Sequence, residues 1–273
     1  MSSILTNNSA MVALASLTDV NRNLNETQTR ISTGLSIRSG KENAAYFSVS
    51  ETMKGDSATF KALNDGMTAT KNSVATARLG AETVKELSQQ IVERVAFAQS
   101  GGIDPADVQL EIDAMVLNMQ SAIDQSTFNG DDLVTGVAAV TVVTGVSRAS
   151  GSFATTSIDF NSVDLQAIQT AMAGIDLATS TDLEADLATV ETQLAASIDA
   201  ATSLGITENT LEGQMMFLES LTDTFDSGVG SMVDANMEEE AARLQAYQVQ
   251  QQLATQSLSI ANQSPQNILS LFR

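Results

Sequence analysis

From Leu244 to Phe272 the chain runs for 29 residues without a charged side chain, and this stretch limits the possible folds more than any other. Leu244, Tyr247, Gln251, Ala254, Leu258 and Ala261 recur at alternating spacings of three and four. That period marks one face of an α-helix, and Val249, Leu253 and Ile260 widen it. The other face carries amides, among them Gln248, Gln250, Gln252, Gln256 and Gln263. Such a helix is too polar to cross a lipid core. It is also too poor in charge for an ordinary solvated surface. It suits a place with protein on several sides, where a charge is costly to bury and an amide still finds partners. The stretch predicts a helix made for burial among other chains.

The amino end mirrors it. Residues 1–18 carry no charge. Leu14, Leu17, Asn21, Leu24, Gln28, Ile31 and Leu35 keep an unbroken 3-4 spacing, about three and a half heptads. Asn21 and Gln28 are polar seam positions, which lower stability but fix register. Two uncharged helical ends point to a shared buried environment; the plain alternative is a coiled pair within one chain.

Between the ends, Gly34 to Asn43 is a break with two glycines and a small basic cluster. A helix of about 40 residues, roughly 60 Å long, follows with Phe60, Leu63, Met67, Val74, Ile91 and Val95 on one stripe. It closes at Ser100-Gly101-Gly102. Asp104 then caps a third helix, with Pro105 in its first position and Ile103 placed to staple onto Val108. Ile112 and Met115 carry that helix towards the turn chemistry of Phe128-Asn129-Gly130.

Residues 131–164 change character. Val137, Val140, Val142, Val143 and Val146 mix with Thr, Ser and Gly, which reads as a hairpin or two. Thr181-Asp182-Leu183-Glu184 reads as a capping box opening the longest helix. Its stripe includes Leu187, Leu194, Leu211 and Leu218. Gly228-Val229-Gly230 is a hinge candidate before the last segment. Only two prolines stand in the chain, so little interrupts helix. The expected fold is therefore dominated by α-helix: a long antiparallel rod or coiled-coil bundle with a small β excursion. Its rod core is expected from Phe60, Leu63, Met67, Val74, Ile112, Met115, Leu187, Leu194, Leu211 and Leu218.

Composition removes most chemistry. With no His and no Cys, a usual zinc site, a Ser-His-Asp triad and a Cys-His pair are all out of reach. Acids are strewn along the predicted rods, where no apolar cleft would raise one carboxyl above its neighbour. No catalytic, cofactor-binding or metal-binding residue is expected. A net charge of −20 makes nucleic acid and anionic membranes poor partners. The first basic residue, Arg22, follows the apolar amino stretch instead of preceding it, unlike a cleaved signal peptide. Charge is also unevenly placed: ten of thirteen basic residues lie between Arg22 and Arg94. From Asp104 to Glu240 there are twenty-four acids and one base, Arg148. That distribution reads either as a solvated acidic face or as an acidic half lying against the amino half.

Particular runs then resemble one family. Arg30-Ile31-Ser32-Thr33-Gly34-Leu35-Ser36-Ile37 and Lys41-Glu42-Asn43-Ala44-Ala45 are similar to the amino-terminal signature of bacterial flagellins. Asn64-Asp65-Gly66-Met67 and Phe128-Asn129-Gly130 resemble markers of their rod helices. Leu204-Gly205 and the run Ala261 to Leu271 (ANQSPQNILSL) resemble their carboxy-terminal signature. The resemblance implies an inner axial domain from residues 1–40 and 230–273 and a helical rod domain from 41–130 and 165–229. It leaves 131–164 as a short outer segment. The axial assembly interface is then expected from Leu14, Leu17, Leu24, Ile31, Leu244, Tyr247, Leu253, Leu258, Ile260 and Leu269. It further implies self-assembly into the extracellular helical filament of the flagellum, after type III export of an unfolded chain. The implied partners are further copies of the chain, the export apparatus with a chaperone, the filament cap and the hook–filament junction proteins. Neither nucleic acid nor membrane insertion is implied. A junction protein of the same organelle is the alternative. Where the family's receptor-detected members carry arginines, this chain has Ile91 and Glu93 nearest, which implies weak detection by the host receptor.

Overall fold

The computed structural model describes residues 7–100, 102–147 and 154–271, with side chains through Gln263. Six helices and one hairpin follow in order among the described residues. They are α1 (Asn8–Thr33), α2 (Ala44–Ala98), α3 (Pro105–Gln125), β1 (Ala139–Ser147), β2 (Ala154–Asn161), α4 (Leu165–Ala173), α5 (Leu183–Val233) and α6 (Met237–Leu271). Helix takes 76% of the described residues, so the α-dominated expectation holds, and the outer segment supplies one antiparallel hairpin. The chain divides into two compact units, Met1–Asp56 with Thr224–Arg273, and Ser57–Asp223.

In the first unit α1 and α6 pack antiparallel along their lengths. The Asn7 side chain caps α1 by accepting from the Ala10 amide at 3.1 Å. Gly34 ends it in the left-handed region, φ 71°, and its N–H donates to Arg30 O at 2.8 Å. That conformation is why the break begins on a glycine. Leu35 thus falls beyond the helix, pairing as an isolated bridge with Asp234. At the other strand of this crossing, Asn236 Oδ1 accepts from Glu238 N at 3.1 Å and starts α6. Glu238, Glu239 and Glu240 fill the first turn, where acids favour the helix dipole.

The second unit holds the larger core. Met67, Val74, Ile91, Ile112, Met119, Leu204, Leu211 and Leu218 are all buried there. Asp104 caps α3 with Pro105 just inside, as the sequence predicts. Asn129 (φ 52°) and Gly130 (φ 88°) form the tight turn after α3, closed by two bonds between Phe128 and Asp131. Strand β1 meets β2 with Val140 opposite Phe160 and Val142 opposite Ile158, and a bulge falls between Val143 and Gly145. Ser73 donates to Asp131 Oδ2 at 3.1 Å, which ties the turn to α2.

The structure corrects four sequence readings. Helix α2 has 55 residues and α5 has 51, so α5 is not the longest; α2 starts at Ala44, sixteen residues before Phe60 opens its clear stripe. The cap of α5 is Asp182, whose Oδ1 accepts from Ala185 N at 3.2 Å, not Thr181. A carboxylate next to a hydroxyl is the stronger acceptor. The Gly228–Gly230 hinge is absent, since α5 continues to Val233 and the break comes at 234–236. Glycine weakens a helix by about 1 kcal/mol and does not by itself end one. Helix α4 had no predicted counterpart, although Asp164 caps it and Leu165, Ile168 and Met172 bury its inner face on α3.

Close packing of α2 on the end of α3 gives a first test. A Cβ on Gly80 would stand 2.6 Å from Ser126 Cβ and closer still to its Oγ. Ser126 is buried and its hydroxyl is held by Ala122 O at 2.5 Å, so it does not yield easily. Gly80→Ala is expected to cost about 1–3 kcal/mol in thermal unfolding. Adding Ser126→Gly should restore part of that loss; no change in Tm for Gly80→Ala would show that the contact is loose.

Candidate self-assembly interface

The paired terminal helices bring together part of the predicted seam; Gln28, read as a seam position, is exposed, and Thr27 beside it is buried at 3% exposure. Seam positions Leu17, Ile31, Leu244, Tyr247, Gln251, Ala254, Leu258 and Ala261 are half-buried, and Leu24 is buried at 8% exposure. Polar contacts cross the seam at three levels. Asn7 Nδ2 donates to Ala261 O at 2.7 Å. Gln251 Nε2 donates to Asn21 Oδ1 at 2.6 Å. Arg30 Nη1 lies 3.5 Å from Glu240 Oε1, and Arg243 reaches the same oxygen at 3.5 Å. Glu240 is itself only 6% exposed. At the crossover, Ala235 N donates to Gly34 O at 2.8 Å and Ser36 N to Val233 O at 2.7 Å.

Part of the apolar surface faces away from this seam. Leu14, Leu253 and Ile260 are 54%, 59% and 70% exposed, and Met11, Val12 and Val249 join them on the outside. The helical face read as one stripe is therefore two: a seam closed between α1 and α6, and apolar side chains that no described residue covers. Leu269 lies outside the described side chains.

Of the expected rod core, Phe60, Met67, Val74, Ile112, Leu211 and Leu218 are buried, while Leu63, Met115, Leu187 and Leu194 are half-buried. Opposite charges of the two halves meet within one chain: Lys71 with Glu212 at 3.4 Å, Arg78 with Glu208 at 2.7 Å and Arg94 with Glu111 at 3.1 Å. Ion pairs this exposed each contribute little. Ile91 is fully buried and Glu93 exposed, so of that pair only Glu93 presents itself to a partner. Sequence reasoning missed Arg30 and Glu240, which are 210 residues apart, because no local spacing announces a pair so distant.

The break after α1 is also electrostatically organised. The Glu42 carboxylate accepts from Arg38 N at 2.7 Å and from Arg38 Nη2 at 2.6 Å. The backbone bond first, then the guanidinium bond, hold its pKa below the usual 4.5. A depressed carboxyl pKa adds stability above the unfolded value, and the gain is lost as pH falls through the folded one. The Glu42 carboxyl is expected to titrate below its value in an unfolded peptide by NMR. Arg38→Ala should bring the midpoint back up.

Among the described residues, no group of three or more Asp or Glu is placed to hold a metal, and no helix is long and apolar enough to cross a membrane. What the geometry offers is exposed apolar surface on the two terminal helices.

Comparison with known proteins accords with that geometry. The bacterial flagellin N-terminal helical region matches residues 4–139, and the bacterial flagellin C-terminal helical region matches residues 187–272. A flagellin of Brucella melitensis biotype 1 is 37% identical, with all of both chains covered. Flagellin C of Rhizobium meliloti is 32% identical, again over all of both chains. Flagellin FljK of Caulobacter vibrioides is 31% identical over all of this chain and 99% of its own. A putative flagellar hook-associated protein from Vibrio parahaemolyticus superposes with a TM-score of 0.42 and 15% identity, over 67% of this chain and 93% of that one. That likeness is too slight to decide between filament and junction roles. With both terminal regions matched and full-length relatives above 30% identity, the chain belongs to the bacterial flagellins, the structural subunits of the flagellar filament.

Proposed function

We propose that this chain polymerises with copies of itself into the flagellar filament, and that the uncovered stripe on its terminal helices is what the neighbouring copies bury. The carrying observation is that stripe: Met11, Val12, Leu14, Val249, Leu253 and Ile260 lie exposed on helices with hardly a charge. Exposed apolar surface of this kind marks an interaction site. In this reading residues 1–40 and 230–273 form the inner axial domain, 41–130 and 165–229 the rod domain, and 131–164 a short outer segment. The axial contacts come from Leu14, Leu17, Leu24, Ile31, Leu244, Tyr247, Leu253, Leu258, Ile260 and Leu269. Copies join head to tail through different surfaces, so the contact does not close and an open helix grows. The chain reaches the outside by the flagellar export apparatus with a chaperone, and adds beneath a cap beyond the junction proteins. Its role is structural, without catalysis.

Seeded sedimentation tests the reading. Full-length protein and a version lacking residues 1–32 and 236–273 are mixed with short filament seeds and spun. The full-length chain is expected to pellet as fibres and the shortened one to stay in solution. If neither pellets at any salt concentration, the filament role fails and a junction role takes its place.

A further inference from the structure

Asn129-Gly130 is the sole Asn-Gly in the chain, and the pair invites a reaction of its own. Glycine has no side chain, so its nitrogen is open to attack the preceding side-chain amide. The Gly130 nitrogen loses its proton to solvent and bonds to Asn129 Cγ; the Cγ–Nδ2 bond breaks and ammonia leaves. Water then opens the five-membered imide. Opening at Cγ gives aspartate. Opening at the backbone carbonyl carbon of Asn129 gives isoaspartate, which carries one more carbon in the main chain. Solvent supplies everything the reaction needs, and Asn129 and Gly130 are both exposed.

The backbone decides whether the ring can form. The φ values of Asn129 and Gly130, 52° and 88°, are those of a type I′ turn, in which ψ of the first residue is about +30°. That ψ sets the Gly130 nitrogen on the side of the Cα–C bond opposite Cβ. The imide needs both atoms on the same side, which requires rotating the bond by nearly half a turn. Such a rotation is blocked while Phe128 and Asp131 keep their two backbone bonds, at 3.2 Å and 2.9 Å. The flanks are held as well. Ser73 on α2 donates to Asp131 Oδ2 at 3.1 Å, Val134 N donates to Asp132 Oδ1 at 2.9 Å, and the buried Ser126 closes the end of α3.

We propose that Asn129 is a deamidation site gated by folding of the second unit: reactive in the unfolded chain and locked in the closed turn. Its main-chain product cannot rejoin the fold unchanged. An isoaspartate lengthens a turn of two residues, so a chain that has reacted while unfolded refolds without the paired Phe128–Asp131 bonds. The inference rests on the second unit alone and not on how copies assemble.

Full-length protein held at mildly alkaline pH, either folded or in urea, provides the test. Peptide mass mapping follows the change from amide to acid at Asn129, and a protein isoaspartyl methyltransferase labels the isoaspartate. Conversion is expected to run at least about tenfold slower in the folded chain, because it waits on opening of the turn. A glycine inserted after Gly130 keeps the Asn-Gly pair but abolishes the two-residue turn, and an exposed loop tip takes such an insertion. With helicity by circular dichroism unchanged, the lengthened chain should convert several-fold faster than the native one when folded, and equally fast in urea. Ser73→Ala, which removes one flank contact without lengthening the backbone, is expected to raise the folded rate as well. Equal rates for the native chain folded and in urea would overturn the proposal. So would slow conversion in both altered chains when folded, since the protection would then lie outside the turn.

Discussion

Leu24→Asp is expected to stop fibre growth while leaving the second unit helical. Leu24 is the one apolar residue of the α1 seam that is buried outright, at 8% exposure. It lies between the Asn21–Gln251 and Arg30–Glu240 contacts. An aspartate there places a charge at a buried position of the seam. An uncompensated buried charge costs about 3–5 kcal/mol. That is a large share of what a pair of helices gains by packing. Circular dichroism should lose only the helix of the two ends, and sedimentation with seeds should find no polymer. Leu258→Asp, at a half-buried position, should act in the same direction with a smaller effect. Normal fibres from Leu24→Asp would show that the α1–α6 seam is not needed for assembly.

The second large effect lies in the other unit. Leu211 is 0% exposed on α5, whereas Ile206, five residues earlier on the same helix, is 61% exposed. Truncating the first removes a full side chain from a packed core and leaves a cavity. Leu211→Ala is expected to lower unfolding free energy by about 2–5 kcal/mol. Ile206→Ala should change it by less than about 0.5 kcal/mol. Chemical denaturation of the two variants compares them directly. Equal losses would mean that burial in this unit does not govern its stability.

These two contrasts mark how far the sequence could be read. Regular spacing made α1, α2, α3, α5 and α6 visible, and turn chemistry at Gly34 and Asn129-Gly130 marked real breaks, because periodicity and local backbone preference are properties of neighbouring residues. Of the predicted seam, Leu24 is buried and Leu17, Ile31, Leu244, Tyr247 and Leu258 are half-buried, whereas Gln28 is exposed. Sequence could not show that Leu14, Leu253 and Ile260 would face outward while Leu24 faced inward. All four are apolar and lie on the predicted stripes of α1 and α6, and only a partner's position divides them. The same limit hid Arg30 and Glu240. Helix α4 was legible in principle, with Asp164 before Leu165, Ile168 and Met172. Its nine residues were too short to stand out beside the long helices. The glycines at 228 and 230 misled in the other direction, since a helix held by packing tolerates them.

The hydrogen bond from Asn7 to Ala261 joins residues 254 apart, and that separation governs when the pair can exist. Nearly the whole polypeptide must be made before the first helix has anything to close on. Closing a loop of that size costs roughly 5 kcal/mol in chain entropy, and contacts so remote in sequence form late. The second unit, built between the two ends, can complete its own core without waiting. Maturation of this molecule therefore has a fixed order: the middle organises early, and α1 stays single until the last segment arrives.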